Sequence, residues 1–231
     1  PQIIGSSPIM TIIEQVYYRG EVMKRVITIS REFGSGGRTI GRKVASLLNY
    51  KFYDRELIDM TAENSGLSAD FIEKTEQNIS SGWLYNLLLG SSYTTGLRGN
   101  SSGKPLMPLA DQVFNAQRKV ILNIAEIESC VIVGRCADFI LRTSDVVKKD
   151  ELLNVFIYSD MQYKIDRAVS EYDIPERDAA RIIAQTNKFR SNHYNIFTES
   201  TWGARENYDL LINSALAGID GTAEIIANLA K

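Results

Sequence analysis

Five short apolar runs rich in β-branched residues punctuate the chain at positions 26–30, 51–53, 131–133, 153–158 and 208–212, each ending in polar residues or glycine. Such runs predict buried strands. Between and after them, apolar positions recur at helical spacing over 40–48, 55–63, 69–77, 111–129, 160–171, 175–189 and 222–230. Strands alternating with helices predict a parallel sheet covered on both faces. Residues 90–103 carry two Ser/Thr/Gly clusters and no periodicity, which predicts a mobile surface loop. Trp83, Tyr85, Leu87 and Leu88, just before it, form an apolar patch, read as core or as the interface of a homodimer. No internal repeat is visible.

Composition narrows the class. A chain of 231 residues is about one and a half typical domains long, enough for one sizeable α/β domain with an inserted subdomain. Hydrophobic residues at 44% and charged residues at 23% exclude collagen, coiled coil and wholesale disorder. The 26 basic and 28 acidic residues give a net charge of −2, which argues against nucleic acid as the partner. Any anion site must therefore be local. Cys130 and Cys136 are too few for a disulfide framework and are read as buried thiols in a reducing cytoplasm. With one histidine, His193, the chain offers no zinc pattern, and no Gly-x-Ser-x-Gly elbow accompanies that histidine. No apolar stretch is long enough to predict a membrane span. Residues 1–22 lack a secretory pattern and are read as an N-terminal extension of unclear role, with Met23 as the expected natural start of a domain over 23–231.

The segment with the most chemistry is Ile27-Thr28-Ile29-Ser30-Arg31-Glu32-Phe33-Gly34-Ser35-Gly36-Gly37-Arg38-Thr39, a strand and a glycine turn leading into an amphipathic helix. Glycines let successive N–H groups turn inward around an anion, and the helix adds its positive end. Arg38 and Thr39 stand where the helix begins; one can clamp phosphate oxygens, the other can bind an oxygen or a magnesium ion. Three readings stay open at this point. The turn is a plain strand-to-helix link, or a dinucleotide-binding turn with Gly34, Gly36 and Asp54 but no third glycine, or a nucleotide P-loop that fails the strict G-x-x-x-x-G-K-[ST] pattern.

An ordered set of marks extends beyond the turn: Phe52-Tyr53-Asp54, Val133-Gly134-Arg135, Tyr194, Trp202-Gly203, Asn207-Tyr208-Asp209-Leu210 and Gly218-Ile219-Asp220-Gly221. With these, residues 24–231 resemble the cytidylate kinase-like branch of the nucleoside monophosphate kinases. The resemblance implies a three-layer α/β P-loop NTPase fold with a parallel five-stranded sheet of order 2-3-1-4-5. It also implies a helical acceptor-binding insertion over about 54–111 and a lid over about 181–198. The implied activity is ATP-dependent phosphorylation of a nucleoside monophosphate or similar small phosphorylated acceptor. Nucleotide and acceptor are then the partners, without nucleic acid or membrane, and ATP and Mg2+ the cofactors.

By the same resemblance Gly34, Ser35, Gly36, Gly37, Arg38 and Thr39 bind the donor phosphates, Asp54, Arg55 and Arg135 bind the acceptor, and Arg38, Lys188 and Arg190 act in catalysis. Lys164 and Arg167, three apart on one helical face, could approach the same pocket, and Asp54 reads equally well as a helix N-cap. Two departures stand out. Without a gap Gly37 occupies the place of the P-loop lysine, and sliding by one puts Arg38 there with Thr39 as the hydroxyl residue; either way Arg38 is the expected substitute cation. Val133-Gly134-Arg135-Cys136 lacks both carboxylates of the family's Asp-Gly-Arg-Asp, so no protein metal ligand is assigned. The alternatives are a catalytically impaired nucleotide-binding or regulatory module of the same fold and, third, an NAD(P)-dependent oxidoreductase.

Overall fold

The structure is a computed structural model that describes residues 23–78 and 109–231. The extension over 1–22, the 90–103 loop and the patch of Trp83, Tyr85, Leu87 and Leu88 lie outside the described residues. Strand β1 spans Val26–Arg31, β2 Lys51–Tyr53, β3 Cys130–Val133, β4 Leu152–Tyr158 and β5 Leu210–Asn213. All pairings are parallel, and the sheet order is β2-β3-β1-β4-β5. The central strand, β1, has no polar face because helices cover both sides of it; Val26, Ile27 and Ile29 are fully buried. Of its two buried hydroxyls, Thr28 Oγ1 donates to Asn154 Oδ1 on β4 at 2.7 Å and Ser30 Oγ donates to Asp138 Oδ1 at 3.2 Å.

The helices form two layers. Helix α1, Gly37–Leu48, and the last helix, α8, Ser214–Leu229, cover one face, where Ile40 and Val44 meet Ile27, Ile29, Val131 and Ile226. On the other face α4, Leu109–Ile127, and α5, Ala137–Arg142, place Ile121, Ile140 and Leu141 against Val26 and Ile132. The predicted insertion contains α2, Glu56–Ser65, and α3, Ala69–Asn78; Ile58 and Ile72 there pack with Val113 of α4. The long pair α6, Met161–Tyr172, and α7, Glu176–Thr198, follows β4.

Three departures from the sequence pattern have local causes. Helix α5 was not anticipated; at six residues it is too short to show a period. Helix α8 starts eight residues earlier than expected, at Ser214, and is broken at Gly218, whose φ of 65° and ψ of −172° no helix contains. The expected helix ending at 189 and lid over 181–198 are one unbroken helix, α7, because neither glycine nor proline interrupts the chain between Pro175 and Gly203. Among the described residues, no helix is long and apolar enough to cross a membrane.

Candidate active site

The site grows from the carboxyl end of β1. Gly36 caps α1 in the left-handed region, φ 78°, with no side-chain cap bond, so the first-turn amides of α1 face outward at the positive end of the helix. Gly34 also has a positive φ, 82°, and a Cβ there would lie 2.7 Å from the Lys164 carbonyl oxygen. Four residues from elsewhere in the chain hold the loop. Ser35 Oγ donates to the Glu32 carbonyl at 2.9 Å, and the Ser35 carbonyl accepts from Ser214 Oγ at 2.7 Å. Phe33 N–H donates to Asn187 Oδ1 of α7 at 2.7 Å. Glu32 takes an ion pair from buried Lys164 at 2.7 Å and an N–H from Ser159 at 3.3 Å.

Beside the loop, three guanidinium groups meet one carboxylate. Asp54, 7% exposed, lies 2.6 Å from Arg38 Nε, 3.5 Å from Arg31 Nη2 and 3.9 Å from Arg135 Nη1. Arg135 Nη1 also donates to the Asp54 carbonyl at 3.0 Å, and Arg190 Nη1 donates to the Arg31 carbonyl at 2.9 Å. Burial lowers the Arg31 pKa to about 10, against the pull of Asp54 and with the push of Arg135. Burial and the adjacent Arg31 lower that of Arg190 to about 9. Both guanidinium groups therefore stay charged at neutral pH in a poorly solvated place, an arrangement that favours a multiply charged anion.

Two cavities open here. The loop cavity, about 180 Å³, is walled by Gly34, Gly36, Gly37, Arg38 and Asp54. The sheet-end cavity, about 260 Å³, lies over the Gly134 turn and is walled by Arg135, Cys136, Phe189, His193, Tyr194 and Trp202. Arg31 and Arg190 line both. In the second, Cys136 Sγ stands 3.6 Å from His193 Nδ1. Beneath it, buried Asp138 accepts from Tyr194 OH at 2.7 Å and from Ser30 Oγ at 3.2 Å. Burial pushes the Asp138 carboxyl above the usual carboxylate range, while the Tyr194 and Ser30 hydroxyls pull it back.

Of the expected site residues, Gly34, Gly36, Gly37, Arg38, Asp54, Arg135 and Arg190 line the cavities, whereas Ser35, Thr39, Arg55 and Lys188 line neither. Ser35 is fully buried as a brace of its own loop, and Thr39 is exposed on the first turn of α1. Arg55 is 69% exposed and paired with Glu73 at 3.1 Å. Lys188 is exposed on α7, about 200° around the helix axis from Arg190. Asp54 does not cap α2; Arg55 holds the cap position, and the Asp54 oxygens go to arginines. Lys164 and Arg167 pair with Glu32 and Glu171 and line neither cavity. Arg31, Cys136 and His193 were not among the expected site residues. Arg31 carried one usable signal, as the last residue of the central strand.

Among the described residues, no group of three His, Cys, Asp or Glu side chains could hold a metal ion. Asp54 is engaged by arginines, Glu32 by Lys164, and Asp138 lies beneath the cavity floor. These residues do not fit a protein-held Mg2+; a magnesium ion arriving with a nucleotide would keep phosphate and water ligands.

Strand β3 lies between β1 and β2, whereas dinucleotide-binding sheets place the second strand beside the first, which sets the oxidoreductase reading aside. The fold is an α/β fold with a parallel five-stranded sheet of order β2-β3-β1-β4-β5 between two helix layers. The chain belongs to the cytidylate kinase-like family, whose sequence profile matches residues 26–216. A structure of an uncharacterized protein from Eubacterium ventriosum is 24% identical with a TM-score of 0.63, covering 89% of this chain and 97% of that one. A shikimate kinase from Bacteroides thetaiotaomicron is 16% identical with a TM-score of 0.45, covering 88% and 97%. A deoxyadenosine kinase from M. mycoides is 13% identical with a TM-score of 0.35, covering 88% and 96%. No curated protein matches.

Proposed function

We propose that the protein is an ATP-dependent phosphotransferase whose acceptor is a nucleoside monophosphate or a similar small phosphorylated molecule. The observation that carries this reading is the convergence of Arg31, Arg38 and Arg135 on the single carboxylate of Asp54, next to a glycine loop at the start of α1. One carboxylate offsets only part of that charge, and a pair of phosphate groups supplies the rest.

In this reading, the amides of residues 34–39 and the positive end of α1 hold the donor phosphates, and Arg38 contacts them from the helix start. Arg135, at the carboxyl end of β3, orients the acceptor phosphate in the sheet-end cavity. Arg190 neutralises charge on the group in flight, and Asp54 keeps the guanidinium groups aimed before substrate arrives. Catalysis then rests on positioning and charge neutralisation, without a protein base.

A coupled assay of ATP turnover across the nucleoside monophosphates tests this. Turnover with at least one acceptor is expected, and Arg135→Ala is expected to raise the acceptor KM about tenfold to hundredfold, the loss of a charge-assisted hydrogen bond. The absence of a carboxylate cluster among the described residues favours a second reading, a nucleotide-binding module without catalysis. Binding of ATP by calorimetry with no turnover on any acceptor would establish that second reading instead.

A further inference from the structure

The two cavities share one wall, and it is made by Arg31 and Arg190. Arg38 borders only the loop cavity and Arg135 only the sheet-end cavity, so a group passing from one space to the other passes the two shared guanidinium groups. Two glycines clear the path of the Arg31 side chain. A Cβ on residue 37 would lie 2.5 Å from Arg31 Cβ and 2.8 Å from its Cγ. A Cβ on residue 134 would overlap Arg31 Nη1. The side chain therefore leaves the end of β1, crosses the first residue of α1 and reaches the turn that carries Arg135. In the general P-loop pattern a lysine at the helix start reaches the β- and γ-phosphates. In this chain the first helical residue is Gly37, and the Arg31 stem occupies the space over it.

We propose that Arg31 is the catalytic cation of this site, holding the phosphoryl group as it crosses between the cavities, with Arg190 as its partner. Arg38 is then a donor-phosphate contact: it is 50% exposed and directed at Asp54 rather than at the partition. This assignment deepens the phosphotransferase reading and rests on it. In the step, an anionic oxygen of the acceptor phosphate forms its bond to the γ-phosphorus while the bond from that phosphorus to the β–γ bridging oxygen breaks. The electron pair leaves with the nucleoside diphosphate. Arg31 neither gives nor takes a proton; its two N–H edges stabilise the charge on the equatorial oxygens. Arg190 shares that charge and is held in place by the Arg31 carbonyl and the Phe33 ring, with its guanidinium carbon 5.8 Å from the ring centre.

Four variants test the assignment: Arg31→Met, Arg31→Gly, Gly37→Lys and the double variant Arg31→Gly/Gly37→Lys. ATP affinity by calorimetry, kcat, KM and melting temperature are read for each. Arg31→Met keeps the stem over Gly37 and is expected to melt near wild type, with kcat lowered on the order of 10²- to 10³-fold and ATP still bound. Gly37→Lys alone is expected to melt lower, because its Cβ meets the Arg31 stem. The double variant removes both Arg31 atoms that a Cβ on residue 37 would meet, and is expected to recover at least tenfold of the kcat lost in Arg31→Gly and to melt above Gly37→Lys. An active wild type with kcat unchanged in Arg31→Met, or a double variant no faster than Arg31→Gly, overturns this assignment alone. A wild-type protein without turnover on any monophosphate overturns the phosphotransferase reading, and the assignment with it.

Discussion

Asp138 shows how one residue couples the core to the site. It is 1% exposed, and its two hydroxyl donors, Ser30 and Tyr194, both line the sheet-end cavity. Because burial raises its pKa, the folded chain retains a proton that the unfolded chain has released, and stability declines as pH rises through that window. Asp138→Asn removes this contribution. Denaturant titrations of the two proteins are expected to show the variant gaining on wild type as pH rises from about 4, the ordinary aspartate value. Parallel curves would show that Asp138 titrates like a surface carboxylate. Composition and spacing gave no warning of this residue, because the donors that reach it come 108 and 56 positions away. Asp54, Arg38 and Arg135 were visible as candidates, but the convergence of Arg38, Arg135 and Arg31 on the Asp54 carboxylate was not, since the three arginines arrive from β1, α1 and the β3–α5 turn.

Among the elements, α7 decides which of its side chains can act. Thr186, Phe189, Arg190, His193 and Tyr194 recur at spacings of three and four and line the sheet-end cavity, while Lys188 faces away. Helix α7 continues unbroken to Thr198, so Lys188 and Arg190 project from different sides of one helix. Helix α8 gives a stability prediction of its own. Gly218 occupies a backbone region that essentially only glycine enters, and a Cβ there would meet nothing within 4 Å. Gly218→Ala is therefore expected to cost about 1–3 kcal/mol in chemical denaturation through backbone strain alone. Gly66→Ala, also at a positive φ with open space around it, is the matching control for ordinary left-handed strain; its φ of 72° and ψ of 9° predict the smaller loss.

For the molecule as a whole, the sheet brings two cavities and four arginines from distant parts of the chain to one edge, and substrate binding should be felt by the entire fold. A nucleotide present at about 100 times its dissociation constant adds about 2.7 kcal/mol of stability, which for a chain of this size raises the melting temperature by roughly 5–10 °C. Differential scanning fluorimetry with ATP checks this; an unchanged melting temperature at saturating ATP would argue against a nucleotide site at the loop.

The alternation of apolar runs and helical periods was enough to establish a parallel α/β sheet, and the glycine turn after the first strand was enough to single out a candidate corner, because both are local patterns of burial and backbone freedom. Which cations face that corner was decided only by tertiary structure. Arg31 reaches it through the space left by Gly37 and Gly134, one six and the other 103 residues along the chain, and a clearance between residues so far apart leaves no periodic trace in the sequence.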